Sequence, residues 1–186
     1  DHDYPYLSEG TVNMYSVYDI NNNEGYVAIG SSKETSEMAC NTIKEWWINE
    51  GEQKYPNAVS LLVLADSGGS NSSKHNIFKQ DLCDLATDIG IEIRMAHYPP
   101  YTSKWNPIEH RLFPHITRSL SGLMIRSYEM VKYLVEKTVT ETGLKVKAFI
   151  DDVIYETGRK IEKGFSGIKD VTHDDFLPNL NYVAKP

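Results

Sequence analysis

The chain has 186 residues, of which 40% are hydrophobic and 24% are charged, as in an ordinary globular protein with one core. No run of about 18 apolar residues occurs, and no basic start precedes an apolar stretch, so neither a transmembrane helix nor a secretory signal is predicted. The two cysteines have no metal-ligand spacing, and we interpret them as reduced core residues of a cytoplasmic protein.

The net charge of −7 argues at first against a nucleic-acid partner, but the charge is unevenly distributed. Residues 1–60 carry ten acids and three lysines, whereas residues 100–132 carry five basic residues and two acids. We therefore expect a locally basic surface in an acidic chain, which is compatible with DNA as a partner.

The first predicted elements are a hairpin and a helix. Residues 13–20 and 26–30 have strand composition, and the turn "NNNEG" between them contains Gly25, which can take positive φ. Residues 31–53 contain a serine or threonine cap followed by apolar residues at helical spacing, which predicts a helix.

A strand, a helix and a second strand follow. Residues 58–66, "AVSLLVLAD", form a continuous apolar run, which is typical of a strand buried on both faces. Residues 74–90 carry one apolar stripe and end at Gly90, a helix stop, and residues 91–98 have the composition of a strand. This order predicts a βαβ unit whose two strands are parallel.

Two further helices are predicted. Apolar residues recur every four positions over residues 108–120, and Pro114 should kink or shorten this helix. Residues 127–143 form another amphipathic helix, and residues 144–186 have mixed composition. The expected fold class is therefore α/β, a mixed sheet flanked by helices, with residues 1–143 as the core domain and 144–186 as a C-terminal extension packed on it.

Two acidic residues are candidates for chemistry. Asp66 directly follows the apolar strand, at the carboxyl edge where α/β proteins bind ligands, although it could equally begin a turn or cap the next helix. Glu109 stands in "NPIE", where Asn106 would be the N-cap, so the glutamate could simply close a capping box. Because the strand before its loop is the parallel neighbour of the Asp66 strand, Glu109 could instead reach the same edge.

Two carboxylates at one sheet edge suit a hard cation such as Mg²⁺ or Mn²⁺. Two such ions, about 3.5–4 Å apart, could activate a water or hydroxyl and stabilise a leaving oxygen on phosphorus, as polynucleotidyl transfer requires. The segment "ADSGGSN" also resembles the nucleophile segment of trypsin-like serine proteases, but its flanking residues differ. The strand pattern before it is that of a parallel sheet, so Ser67 is a poor candidate for a nucleophile.

The loop before Glu109 is rich in aromatic and basic residues. Tyr98, Tyr101 and Trp105 could stack on bases or could form a rigid cover over the core. The candidate DNA contacts are Lys104, Trp105, His110, Arg111 and Arg118. The histidines at 75, 97, 110 and 115 lack the spacing of a zinc site.

The segment "PPYTSKWNPIEHRLF" is similar to the segment that carries the last catalytic acid in mariner-like and related insertion-sequence transposases, and "LLVLADSGGSN" resembles their second-acid strand. "ITRSLSG" and "TGLKVKAFID" are similar to the Rhodopirellula-type DDE transposase family in particular. The resemblance covers most of the chain. It implies an RNase H-like catalytic core that binds two Mg²⁺ ions, cuts and joins transposon-end DNA, and has Asp66 and Glu109 as its second and third acids.

The resemblance places the first acid on the first strand of a three-stranded meander, whereas only a hairpin precedes the first helix here. Two alternatives remain open: the first strand and its aspartate lie upstream of Asp1, in which case this chain alone is inactive, or Asp19 is the first acid.

By this resemblance we expect the catalytic core of an insertion-sequence transposase, located in the bacterial cytoplasm at the nucleoid, with DNA as its partner and a homodimer as the assembly. The alternatives are an inactive remnant that binds DNA or a partner, and an RNase H-like nuclease.

Overall fold

The computed structural model describes residues 10–68, 76–166 and 170–186, and these residues form two mixed sheets. In the first sheet β2 (Glu24–Gly30) is central, antiparallel to β1 (Asn13–Asp19) and parallel to the strand Lys145–Ile150. In the second sheet β3 (Ser60–Asp66) is parallel to β4 (Glu92–Tyr98). The strand Lys145–Ile150 of the first sheet is β5. In the second sheet, β4 also pairs with β7 (Asn181–Ala184), and β7 pairs with β6 (Thr172–His173); both pairings are antiparallel.

Six α-helical segments flank these sheets within the described residues. The helix α1 (Ser36–Trp46) continues through a π-helical turn, Trp47–Gly51, into the short α2 (Glu52–Lys54). The others are α3 (Asn76–Ile89), α4 (Pro107–Arg111), α5 (Phe113–Leu120) and α6 (Tyr128–Glu136), and a 3₁₀ turn, Ser103–Trp105, precedes α4. The predicted α/β class is confirmed, and the arrangement of mixed sheets flanked by helices is consistent with an RNase H-like fold.

Local sequence explains where these helices begin and break. Thr35 and Ser127 are N-caps whose hydroxyls accept the N–H groups of Met38 and Met130. The predicted break near Pro114 is confirmed: the helix stops at Leu112 and restarts with the proline in the first turn of α5. A proline has no N–H to donate and its ring collides with the preceding turn, so it fits only at a helix start.

The predictions for the first hairpin turn and for the end of the last helix are wrong. The left-handed residue of the first hairpin is Asn23, at φ 54°, and Gly25 instead lies inside β2. A Cβ at Gly25 would stand 2.5 Å from Leu112 Cδ1, so this glycine serves the packing of α4 on the sheet. The helix predicted to reach residue 143 ends at Glu136, and beyond it the hydroxyl of Thr140 accepts the N–H of Leu144.

The sequence predicted that the apolar run in β3 is buried on both faces, and this prediction is wrong. Leu61, Val63 and Ala65 pack on the core under α1 and α3. Leu62, on the other face, is 62% exposed, because the helices α4, α5 and α6 cover β2 and β5 of the first sheet instead. One face of β3 is therefore covered and the other is open.

Residues 144–186 contribute strands to both sheets. The strand β5 is the parallel neighbour of β2, and β7 is the antiparallel neighbour of β4. Between them, Arg159 donates through Nη2 to both oxygens of the buried Asp81 carboxylate at 2.5 and 2.6 Å. This ion pair holds the part of the chain between β5 and β7 against α3.

Candidate active site

The carboxyl edge of the parallel pair β3–β4 holds Asp66. Its side chain is half-buried, and its Oδ1 accepts a hydrogen bond of 3.3 Å from Nδ2 of Asn106, which is buried at the start of α4. The carboxylate is thus oriented by a side chain from the loop that follows the neighbouring strand. This contact brings the two segments that the sequence selected, "LAD" and "NPIE", to one place.

Glu109 does not close the capping box that was its simpler interpretation. The N–H of Asn106 donates to Ser103 O at 2.8 Å, and the Asn106 side chain makes no cap bond because it is directed at Asp66. The N–H of Glu109 donates to Asn106 O at 3.1 Å, so Glu109 lies in the first turn of the helix that begins at the asparagine bonded to Asp66. Among the described residues, no hydrogen-bond or ion-pair partner occupies the Glu109 carboxylate, which leaves it available to a ligand.

His97, on β4, supports the main chain at Asp66. It is buried, its Nδ1 lies 3.3 Å from Asp66 O and its Nε2 lies 2.9 Å from the Tyr182 hydroxyl. Since a carbonyl only accepts, Nδ1 carries the proton and Nε2 accepts from Tyr182. Burial lowers the pKa of His97 below its usual 6.5, although the Asp66 carbonyl opposes this shift.

This lowered pKa predicts a loss of stability in acid. Above pH 6.5 the ring is neutral in both the folded and unfolded states, and as the pH falls from 6.5 through the lowered folded-state pKa, the unfolded state binds the proton first. The free energy of unfolding should therefore decrease over that window. The measurement is urea unfolding of the native chain and of His97→Gln from pH 7.5 to 5. We expect the difference between their free energies of unfolding to shrink as the pH falls. A difference that does not change with pH would contradict this account.

The oxygen ligands at this edge are of the type that a hard divalent cation prefers, but there are few of them. Asp66 and Glu109 offer carboxylate oxygens, which Mg²⁺ and Mn²⁺ prefer. In the part of the chain that the structure describes, no group of three or more histidine, cysteine, aspartate or glutamate residues could hold a metal ion. Among the described residues, this edge therefore offers two candidate carboxylates for a cation.

The structure does not bring Asp19 to this edge. Its buried carboxylate accepts from the N–H groups of Asn21 and Asn22 at 3.0 and 3.2 Å and from the Tyr55 hydroxyl at 2.9 Å. Tyr55 precedes the amino end of β3, whereas Asp66 is at its carboxyl end, a strand length of about 20 Å away. In this environment Asp19 holds the hairpin turn against the segment before β3.

The 3₁₀ turn before α4 presents a cation and an aromatic ring to solvent. Lys104 Nζ lies 5.4 Å from the centre of the Trp105 ring, which is 69% exposed. His110 donates from Nε2 to the Lys104 carbonyl, which fastens this turn to α4. His110 therefore has a structural role in positioning the 3₁₀ turn.

Further exposed groups lie on α4, on α5 and in the loop before them. Arg111 and Arg118 are exposed on α4 and α5, and no ion pair to another described residue engages them. Tyr101 is 99% exposed and has a left-handed backbone, at φ 67°. The left-handed conformation is strained for a residue other than glycine.

The fold and the edge define an α/β domain that carries Asp66 at the end of a parallel strand pair and Glu109 in the first turn of the helix bonded to it, consistent with the RNase H-like class. The profile of the family described as "Rhodopirellula transposase DDE domain" matches residues 1–186, the whole chain, and the chain belongs to that family. No curated protein and no solved structure gives a significant match. None of the helices among the described residues is both long and apolar enough to cross a bilayer.

Two residues that support the candidate site have roles which sequence patterns do not indicate. Asn106 was interpreted as a helix cap, although its side chain orients Asp66. His97 lacks the spacing of a zinc ligand, but its ring bonds the main chain at Asp66. One signal was available for His97, a lone histidine in an apolar strand, but its partner Tyr182 lies 85 residues away in sequence.

Proposed function

We propose that this domain catalyses metal-dependent cleavage and strand transfer of DNA at the ends of an insertion sequence. The observation that supports the proposal is the hydrogen bond from the Asn106 side chain to Asp66, which joins the carboxyl edge of β3 to the start of the helix that carries Glu109, in a chain of the DDE transposase family. Open α/β sheets bind their ligands at this edge.

Asp66 and Glu109 would hold Mg²⁺ or Mn²⁺. Such ions, when bound, supply a Lewis acid and an activated oxygen nucleophile for attack on phosphorus. The protein contributes orientation: Asn106 fixes the Asp66 carboxylate, and His97 fixes the main chain from which that carboxylate projects. Metal ligands held in this way by neighbouring hydrogen bonds are better organised for binding.

The surface around the two acids suits a DNA backbone. Lys104, Arg111 and Arg118 can neutralise phosphates, and His110 can add a contact. The exposed rings of Trp105 and Tyr101 can stack on unpaired bases beside the cleavage point. Binding should therefore weaken as salt rises and should extend to bases separated from their duplex.

The third carboxylate that the reaction needs, the first acid in chain order, is either Asp19 or a residue N-terminal to β1. The hydrogen bonds of Asp19 to Tyr55 and to its own turn favour a structural role for it. We therefore favour a first acid from a strand N-terminal to β1. Two DNA ends have to be held together in transposition, so we also propose that a homodimer acts, at the nucleoid.

The test compares substrates for the purified full-length transposase. Labelled transposon-end duplex should be cut in Mg²⁺ or Mn²⁺ and left intact in EDTA, and an RNA–DNA hybrid of the same sequence should remain whole. Preferential cutting of the hybrid would replace the proposal with an RNase H-like nuclease. Failure to cut either substrate, with DNA binding retained, would make this domain an inactive remnant.

A further inference from the structure

The loop between α5 and α6, residues 121–127, carries three adjacent apolar side chains that contact solvent. Leu123 is 46% exposed, Met124 is 74% exposed and Ile125 is 40% exposed. Among the described residues, no other run of three large apolar side chains is exposed in this way. Single apolar residues are common on protein surfaces, but an exposed cluster of them is typical of an interaction site.

Both ends of this loop are fastened to the helices beside it. The hydroxyl of Ser121 donates to Thr117 O at 2.7 Å, and the hydroxyl of Ser127 accepts the N–H of Met130 at 3.2 Å as the N-cap of α6. Gly122, at φ 74°, makes the turn out of α5 in a conformation that costs glycine little. The three apolar side chains are therefore presented from a short turn with fixed ends.

The surroundings of the loop are basic. Residues 110–128 contain no aspartate or glutamate, and this is the longest such stretch in the acidic chain. Arg118 and Arg126 are exposed on the two sides of the apolar residues, and no acid among the described residues pairs with either of them. Nη2 of Arg126 lies 3.8 Å from Sδ of Met124, so a cation and an apolar tip stand side by side. A partner that fits this loop is anionic and has apolar surface.

We propose that this loop binds the minor groove of DNA and that Met124 inserts between two base pairs, which kinks the duplex. DNA combines phosphate charge with stacked apolar bases, and proteins that kink it insert methionine, leucine or isoleucine at a base step while arginines contact the backbone or groove. Arg118 and Arg126 are placed to contact phosphates on either side of that step. The inference rests on the proposed function, because it takes DNA as the partner.

A second copy of the chain fits this loop less well. If two copies met through it on a two-fold axis, each Arg126 would face the same residue of the other copy, and like charges at an interface are unfavourable. The charge around the apolar residues therefore favours DNA over self-association.

The position of the loop predicts where the kink lies. The helices α4 and α5, from Pro107 to Leu120, span at most about 20 Å. The four residues from Leu120 to Met124 add at most about 14 Å. Since the duplex rises about 3.4 Å per base pair, the kink should lie within about ten base pairs of the phosphate that Glu109 approaches.

The experiment measures bending of DNA by the full-length transposase in EDTA, so that no cleavage occurs. The probe is a transposon-end duplex of about 40 base pairs, which is nearly straight when free. Energy transfer between dyes at its two ends reports bending, and 2-aminopurine placed in turn at each step near the cleavage point reports unstacking. Binding of the native protein should raise the energy transfer and brighten 2-aminopurine at one step within the predicted distance.

Met124→Ser should reduce that brightening by about threefold or more and should remove at least half of the rise in energy transfer, because no apolar wedge remains. Met124→Leu keeps the wedge and should behave as the native protein does. Arg126→Gln should weaken binding and lower the slope of log affinity against log salt by about 1. The matched control is Ile154→Ser: this residue is 75% exposed and adjoins Tyr155, which packs on the α1 side of the first sheet.

Native bending by Met124→Ser, or no bending by the native protein, would overturn the inference. A change in the sedimentation of the DNA-free protein on Met124→Ser would also overturn it, because the loop would then join protein copies. The catalytic proposal fails separately, when the native protein bends the duplex in EDTA but does not cut it in Mg²⁺ or Mn²⁺.

Discussion

Replacing Asp66 with Asn, or Glu109 with Gln, should reduce cleavage of transposon-end DNA by the full-length transposase by about 10³-fold or more. Each carboxylate would hold a cation that contributes several kcal/mol to transition-state stabilisation, and about 4 kcal/mol corresponds to about 10³-fold in rate. Both substitutions preserve the size of the side chain and remove only its charge. Single-turnover cleavage at saturating DNA measures the effect separately from binding.

The matched control is Glu92→Gln, which removes the same charge at the amino end of β4, far from the edge that holds Asp66. This variant should cleave at the native rate. DNA affinity should remain within a few-fold in all three variants, because Lys104, Arg111 and their neighbours are unchanged. Native cleavage rates for Asp66→Asn or Glu109→Gln would exclude the proposed active site.

Replacing Arg159 with Met should lower the free energy of unfolding by about 3 kcal/mol, toward the lower end of the range for breaking a buried ion pair. The Asp81 carboxylate is only 5% exposed, and it accepts from Arg159 and, at 2.5 Å, from the Ser36 hydroxyl. Without the guanidinium it would remain buried with an uncompensated charge. The cost is toward the lower end because 28% of the Arg159 side chain is exposed, so water reaches the vacated position.

Thermal unfolding measures this change, at about 2–4 °C per kcal/mol for a domain of this size. The double variant Arg159→Met with Asp81→Leu should regain at least half of the loss, because no buried charge remains. Lys44→Met breaks the exposed pair with Asp88 and should cost at most about 1 kcal/mol. If Arg159→Met were no worse than Lys44→Met, the C-terminal segment would not depend on this ion pair.

Local sequence pattern determined most elements of the fold. The apolar run before Asp66, the stripe in α3 and the strand after Gly90 predicted a parallel pair, and β3 and β4 pair in that way. Pro114 predicted the break between α4 and α5 because the chemistry of proline acts within one turn of helix. Hydrophobic periodicity and backbone chemistry of this kind depend only on residues that are close in sequence. The elements they determine can therefore be predicted from the sequence.

Other features depended on contacts between distant residues. The exposure of Leu62 follows from how the helices are distributed between the two sheets. The strands β5 and β7 were not anticipated, because each forms by pairing with a strand far away in sequence.

The same division applies to the candidate site. Asp66 and Glu109 were selected from sequence because strand order and the two motifs place them at one edge. The choice between capping box and ligand for Glu109 was open, because both use the same residues at the same spacing. Tertiary structure decided against the box, because the Asn106 side chain bonds to Asp66, 40 residues earlier, and its N–H bonds to Ser103. Sequence spacing predicts which groups can meet, but only the packed chain determines which partner each group takes.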